Sequence, residues 1–149
     1  MQTKMGWVVG LMLGIGCAIG MAAEKASEID GKWKAIALEK GGQALPAEAL
    51  KAIPEETEFA EGKMRRLVMG KVTFEADFVL DPKATPKGYE MRGGKDRKGR
   101  EVVIRGIYEV DKSGKLRICF SSGPDGKPPK SFDTKENSGS QLTVYERVK

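Results

Sequence analysis

Lys71-Val72-Thr73-Phe74-Glu75-Ala76-Asp77-Phe78-Val79-Leu80 sets Val72, Phe74, Ala76, Phe78 and Leu80 on alternate positions, with Lys71, Thr73, Glu75 and Asp77 between them. Successive side chains of an extended chain point to opposite faces, so a period of two marks a strand with one dry and one wet face. Asp81-Pro82 ends the run, because proline has no amide hydrogen to give a sheet. Leu116, Ile118 and Phe120 repeat the pattern against Lys115, Arg117 and Cys119, and two such strands place the chain among β-rich proteins.

The flanking sequence extends this reading. Gly31 to Glu39 is expected as a first strand, closed by the glycine pair of Lys40-Gly41-Gly42-Gln43. A short helix follows, with Pro46 at its first position, Leu45, Ala49, Leu50 and Ile53 near one face, and Pro54 as its stop. Further strands are expected at Arg65 to Met69, Tyr89 to Arg92 and Glu101 to Val110, briefly around Phe132, and from Gln141 to Val148. Gly93 to Gly99 and Asp111 to Gly114 read as hairpin turns, and Ser121 to Lys130, rich in Gly and Pro, reads as an exposed loop. The fold class is therefore all-β in the main: a small antiparallel β-barrel of about eight strands with one short helix after the first strand. A barrel suits roughly 120 folded residues because it buries one modest core and removes exposed strand edges.

Composition narrows the chemistry. The chain has 149 residues, no histidine and two cysteines, so a Ser-His-Asp triad, a Cys-His dyad, a His-ligated zinc and a disulfide framework all lack their parts. No catalytic residue, metal or cofactor is expected, and the chain does not read as an enzyme. Glu55, Glu56, Glu58 and Glu61 cluster without a second carboxylate placed across a cleft and without calcium-loop spacing.

Residues 1–22 read as a signal peptide. Lys4 precedes the apolar run Trp7 to Ile15, and Gly20 and Ala22 occupy the small-residue positions before a cut at Ala23. Two alternatives stand beside cleavage: an uncleaved anchor, with Gly6, Gly10 and Gly14 at helix-packing spacing, and lipidation at Cys17. All three imply export, to the periplasm or beyond. Residues 23–29 read as a short tether and 30–149 as the folded domain. After cleavage the chain keeps 25 basic against 21 acidic residues, a net charge too small for a nucleic-acid binder, and no stable membrane span is expected.

Several strings resemble a known family. Gly31-Lys32-Trp33-Lys34, Leu45-Pro46-Ala47-Glu48, Leu80-Asp81-Pro82-Lys83 with Pro86-Lys87, Gly106-Ile107-Tyr108-Glu109-Val110, Leu116-Arg117-Ile118-Cys119-Phe120 and Lys130-Ser131-Phe132 resemble, in order and spacing, an uncharacterised lipocalin-like domain family associated with planctomycetes. The resemblance implies a small lipocalin-like barrel in an exported protein, with no established activity. The Gly31-x-Trp33 opening also resembles that of true lipocalins, whose Trp closes the barrel base beneath an Arg from a late strand. That resemblance implies a barrel-closing pair of Trp33 with Arg147, or with Arg117. The lipocalin Thr-Asp-Tyr motif is absent, so lipocalin ligand chemistry is not carried over.

Two functions remain open. In the first, an exported binding module takes a small apolar or amphipathic ligand into a pocket lined by Trp33, Phe74, Phe78, Tyr108, Ile118 and Phe120. In the second, the same aromatics fill a closed barrel that serves the cell envelope as a structural or protein-interaction domain. An inward Tyr108 hydroxyl needs a partner, either a ligand head or a backbone carbonyl or water. Cys119, the single cysteine of the mature chain, is expected to be inert and to share an outward face with Arg117. Arg92, Lys95, Arg97, Lys98 and Arg100 form the densest basic run, either a solvated hairpin or a contact for phosphate or acidic polysaccharide.

Overall fold

The computed structural model describes residues 27–122 and 126–149. The expected signal segment with Cys17, and residues 23–26 of the tether, lie outside the described residues. Among the described residues nine strands and one helix follow in order: β1 (Gly31–Lys40), β2 (Gln43–Ala44), α1 (Ala47–Lys51), β3 (Glu55–Ala60), β4 (Lys63–Val68), β5 (Lys71–Asp81), β6 (Gly88–Lys95), β7 (Glu101–Val110), β8 (Leu116–Ser121) and β9 (Ser140–Arg147). From β3 to β9 each strand pairs antiparallel with the next, and β1 is held between β3 and β9. Pairing of β1 with β9 runs from Trp33 opposite Arg147 to Lys40 opposite Gln141, and it closes a barrel of eight strands. The two-residue β2 is only an extension of the β1 turn.

Closure requires the sheet to bend, and register shifts supply that bend between Ala35 and Ala37 in β1, at Thr73 in β5 opposite Arg66/Leu67, and between Arg92 and Lys95 in β6. The β3–β4, β4–β5 and β7–β8 connections are tight, and Gly62, Gly70 and Gly114 take the positive φ that such turns demand.

The strand count is as expected, but its membership differs. Residues 55–60 form β3, with Thr57 and Phe59 buried, whereas the sequence reading treated the glutamates there as an acidic cluster ahead of the second strand. Conversely, Phe132 lies in no strand but in a strap connecting β8 to β9. Helix α1 is five residues long and buries Leu50, leaving Leu45 and Ile53 largely exposed, so the expected four-residue apolar face is not used as one. The tether also ends earlier than expected. Ile29 is 1% exposed, inside the core, and Ser27 and Asp30 form a hydrogen-bonded turn, so residues 27–29 already belong to the packed domain.

Alternation along the strands separates the two faces. Trp33, Phe59, Met64, Phe78, Tyr89, Tyr108, Leu116 and Ile118 pack inside the barrel with Ile29. Ile107, Cys119 and Leu142 face outward and form a second cluster covered by Phe132 of the strap. Arg117 lies 4.6 Å over the Phe132 ring, and Thr134 hydrogen-bonds Glu39 on β1, which fastens the strap to the outer wall.

Candidate functional site

The two ends of the barrel differ. One end, the base, carries the start of β1, the end of β9 and the β5–β6 loop. Trp33 there is fully buried, and its indole Nε1–H donates to the Ile29 carbonyl at 2.7 Å. Arg147 stacks over the indole at 4.3 Å and donates to the carbonyls of Asp30 and Glu28, each at 2.8 Å. Gly31 makes this possible: a Cβ at that residue would lie 2.9 Å from the Arg147 guanidinium, and its φ of +127° disfavours side chains. The Gly-x-Trp spacing thus has a local cause. Arg117 does not take part; its guanidinium donates to Glu109 at 2.6 Å on the outer wall.

Tyr108 completes the base. It is 1% exposed, and its ring lies 5.9 Å from the Lys87 ammonium, which is paired with Glu28 at 2.7 Å. Burial is the main cause that raises the Tyr108 pKa, with Glu28 and Asp81 adding and Lys87 opposing. Its hydroxyl therefore belongs to the charged fringe of the sealed end.

The opposite end, the mouth, carries the β1–β3 connection with α1, the β4–β5 turn, the β6–β7 tip and the strap. Here the interior side chains Phe74, Met91, Ile104 and Phe120 are only half-buried. Of the six expected lining residues, Trp33, Phe78, Tyr108 and Ile118 form the packed lower interior. Phe74 and Phe120 stand above it towards the mouth. Phe78 is fixed between Phe59, 4.9 Å away, and Tyr89, stacked at 4.7 Å.

Sequence reasoning missed a polar group on the same interior wall. Arg66 pairs across the sheet with both Thr57 and Phe74, so its side chain shares their inner face. The guanidinium sits 5.7 Å over the Phe74 ring and 3.0 Å from Glu55. Beside it, the buried Tyr145 hydroxyl is hydrogen-bonded with Thr57 and Thr143, and burial outweighs these bonds to raise its pKa. The signal that could have found Arg66 is its place in the β4 alternation with Met64, which the buried Leu67 on the opposite face obscures.

Elsewhere, a cavity of about 550 Å³ lies beside the base, floored by Ile29, Phe59, Phe78 and Leu80. A larger outer groove of about 890 Å³ runs between the β5–β7 wall and the strap, with Val79, Ile107, Glu90, Arg105 and Pro128 among its lining. Cys119 is wholly buried beneath the strap, and burial pushes its thiol pKa up against the opposing pull of Arg117, so it is poorly suited to nucleophilic work.

Closed antiparallel walls, a base stacked over Trp33 and interior side chains left half-buried towards the mouth define a small eight-stranded β-barrel whose two ends differ. No protein-family model matches the chain, and no curated protein matches it significantly in sequence.

Proposed function

We propose that this chain is an exported, non-enzymatic, lipocalin-like module that takes a small amphipathic molecule into the upper half of its barrel. The observation that carries this is the arrangement at the mouth. Phe74, Met91, Ile104 and Phe120 remain half-buried on the interior wall, and Arg66 and Glu55 face the same space. A ligand tail would complete the burial of the four apolar side chains, and its head would meet Arg66 and Tyr145. Trp33, Phe78, Tyr108 and Ile118 form the floor of the site. The apolar segment at residues 5–23 supports export.

The test is native mass spectrometry of the protein purified from its own host, followed by titration of the delipidated chain with a fluorescent fatty acid. A stoichiometric adduct, or saturable one-to-one binding weakened by Phe74→Ala and Arg66→Gln, is expected. A clean apo mass together with no saturable binding would overturn the proposal.

The outer groove favours a second role, as an interaction domain of the cell envelope. Exposed Val79 and the Pro128-Pro129 pair face a wall bearing the Glu90–Arg105 ion pair, a mixed surface suited to an extended peptide. Binding partners lost on Val79→Asp but unaffected by Phe74→Ala would select this role.

A further inference from the structure

We propose that the mouth end of the barrel docks on an anionic lipid surface. Six large apolar side chains are exposed among the described residues, and four of them, Leu45, Ile53, Met69 and Val72, lie at this end. They sit on neighbouring segments: the Met69 amide donates to the Pro54 carbonyl at 3.2 Å, which joins the β4–β5 turn to the segment after α1. Of the other two, Val79 lies on the barrel wall, and Val148 at the base is the least exposed of the six, at 38%.

Met69 is the sharpest case. It is 84% exposed and takes a φ of 51°, followed by Gly70 at 79°, so it fills the first position of a two-residue hairpin turn. Asn, Asp or Gly suits that position better than an unbranched apolar side chain, and nothing in the folded barrel covers the thioether. Folding gains nothing from a Met held this way, whereas an apolar surface met from outside would cover it.

Unpaired cations stand beside Met69 and Val72, whereas Glu48, Glu55 and Glu101 at this end are paired with Lys51, Arg66 and Arg92. Lys71 follows the same turn, and the β5–β6 register carries the tip with Lys95, Arg97 and Lys98 up beside Phe74 and Val72. Asp96, the acid within that tip, is used by the Lys98 and Arg100 amides and the Arg100 guanidinium. None of Lys71, Lys95, Arg97 and Lys98 has a carboxylate partner among the described residues. Apolar tips on separate turns, interleaved with unpaired cations, form a convex end. Such an end suits the headgroup layer of an anionic bilayer, which needs no matching shape, better than a folded partner. The surface rings the mouth but does not depend on a ligand entering it.

Residues 23–149 hold all eight barrel strands and the whole core while omitting the apolar leader, so this chain is the one to test. Sedimentation with phosphatidylcholine vesicles is compared with and without phosphatidylglycerol, at low and raised salt. Binding is expected only with phosphatidylglycerol and is expected to weaken with salt. Each cation removed should weaken it about fivefold, so Lys95→Gln with Arg97→Gln and Lys98→Gln should cost about a hundredfold. Met69→Ser with Val72→Thr should also weaken binding while leaving its salt dependence, and Lys112→Gln with Lys149→Gln at the base should leave it unchanged. Absence of binding to phosphatidylglycerol vesicles by a chain with a normal melting transition would overturn the proposal, as would equal loss from the base variant. Capture of a soluble acidic polysaccharide, lost in the triple variant but insensitive to Met69→Ser with Val72→Thr, would likewise overturn it in favour of a polyanion site.

Discussion

Replacing Arg147 with Met keeps the length and apolar cover over Trp33 but removes the guanidinium. Two charge-assisted hydrogen bonds, to the Asp30 and Glu28 carbonyls at 2.8 Å, are lost. Both carbonyls lie near solvent and can turn to water, so each bond is worth about 0.5 to 1 kcal/mol, the lower part of the usual range. Loss of the stacked cation, 4.3 Å from the indole, adds about 0.5 to 1 kcal/mol. The expected cost is about 2 kcal/mol, which at a typical urea slope lowers the unfolding midpoint by roughly 1 M. Trp33→Phe leaves the Ile29 carbonyl without its buried donor and opens a small cavity, costing about 2 to 3 kcal/mol. Because Arg147 still covers a ring in that variant, the two changes should couple weakly, by about 0.5 kcal/mol. Urea unfolding of the four chains of this cycle, followed by far-ultraviolet circular dichroism, measures each quantity. Trp33 is the one Trp of residues 23–149, so in that span its fluorescence reports the base directly in the two chains that retain it. An Arg147→Met chain as stable as the wild type would refute the view that this pair seals the base.

Gly106 faces inward, and a Cβ there would lie 2.4 Å from the Cys119 carbonyl and 2.5 Å from the Tyr89 ring. Gly106→Ala should therefore destabilise by about 1 to 3 kcal/mol, and trimming Tyr89 to Leu should not rescue it, because the backbone clash remains; melting temperatures decide. Burial raises the pKa of both Tyr89 and Tyr145 above the ordinary 10.0. A group whose folded pKa is raised keeps its full contribution below the unfolded pKa and loses it as pH climbs towards the folded value. Stability should thus fall above about pH 10 by about 1.4 kcal/mol per pH unit for each tyrosine, with Tyr89→Phe giving a shallower slope in urea midpoints. Phe132→Ala should loosen the strap and raise the rate at which a thiol reagent modifies Cys119, whereas the wild-type thiol should react only after unfolding; an unchanged rate in the variant would show that the strap is held without Phe132.

Much of the architecture was legible because strand alternation is a local property. The β5 and β8 patterns assign Phe74, Phe78, Ile118 and Phe120 to the interior and Arg117 and Cys119 to the exterior, as the structure has them. β3 was not legible, because of its inward residues Glu55, Thr57 and Phe59 only the last is large and apolar. What makes it a strand is non-local: Arg65 and Arg66 of β4 neutralise Glu58 at 3.6 Å and Glu55 at 3.0 Å. Phe132 misled for the opposite reason. An aromatic residue in a polar stretch suggested a strand, yet its role is to cover the outward Ile107, Cys119 and Leu142. Those three supplied a usable clue, since each stands beside inward residues and makes its strand dry on both faces at that point. At the mouth, the inward Arg66 was hidden because its neighbour Leu67, on the opposite face, is the apolar and buried residue, so hydrophobicity along β4 points to the wrong face.

The difference between the two ends follows from how a barrel closes. Only the β1–β9 seam joins the beginning of the domain to its end, and the contact of Arg147 with the Asp30 carbonyl spans 117 positions of sequence. A seam of that span gains nothing from local turns, so its stability must come from side chains, and the base supplies them: a buried indole, a stacked guanidinium and the Glu28–Lys87 pair. The mouth has the opposite composition. Three connections and a strap meet there, joined to one another by few bonds such as that from Met69 to Pro54, and their movement leaves the ladders intact. A guest of the upper interior would therefore need only loop displacement at the mouth, whereas passage beside Trp33 would break the seam on which barrel closure depends.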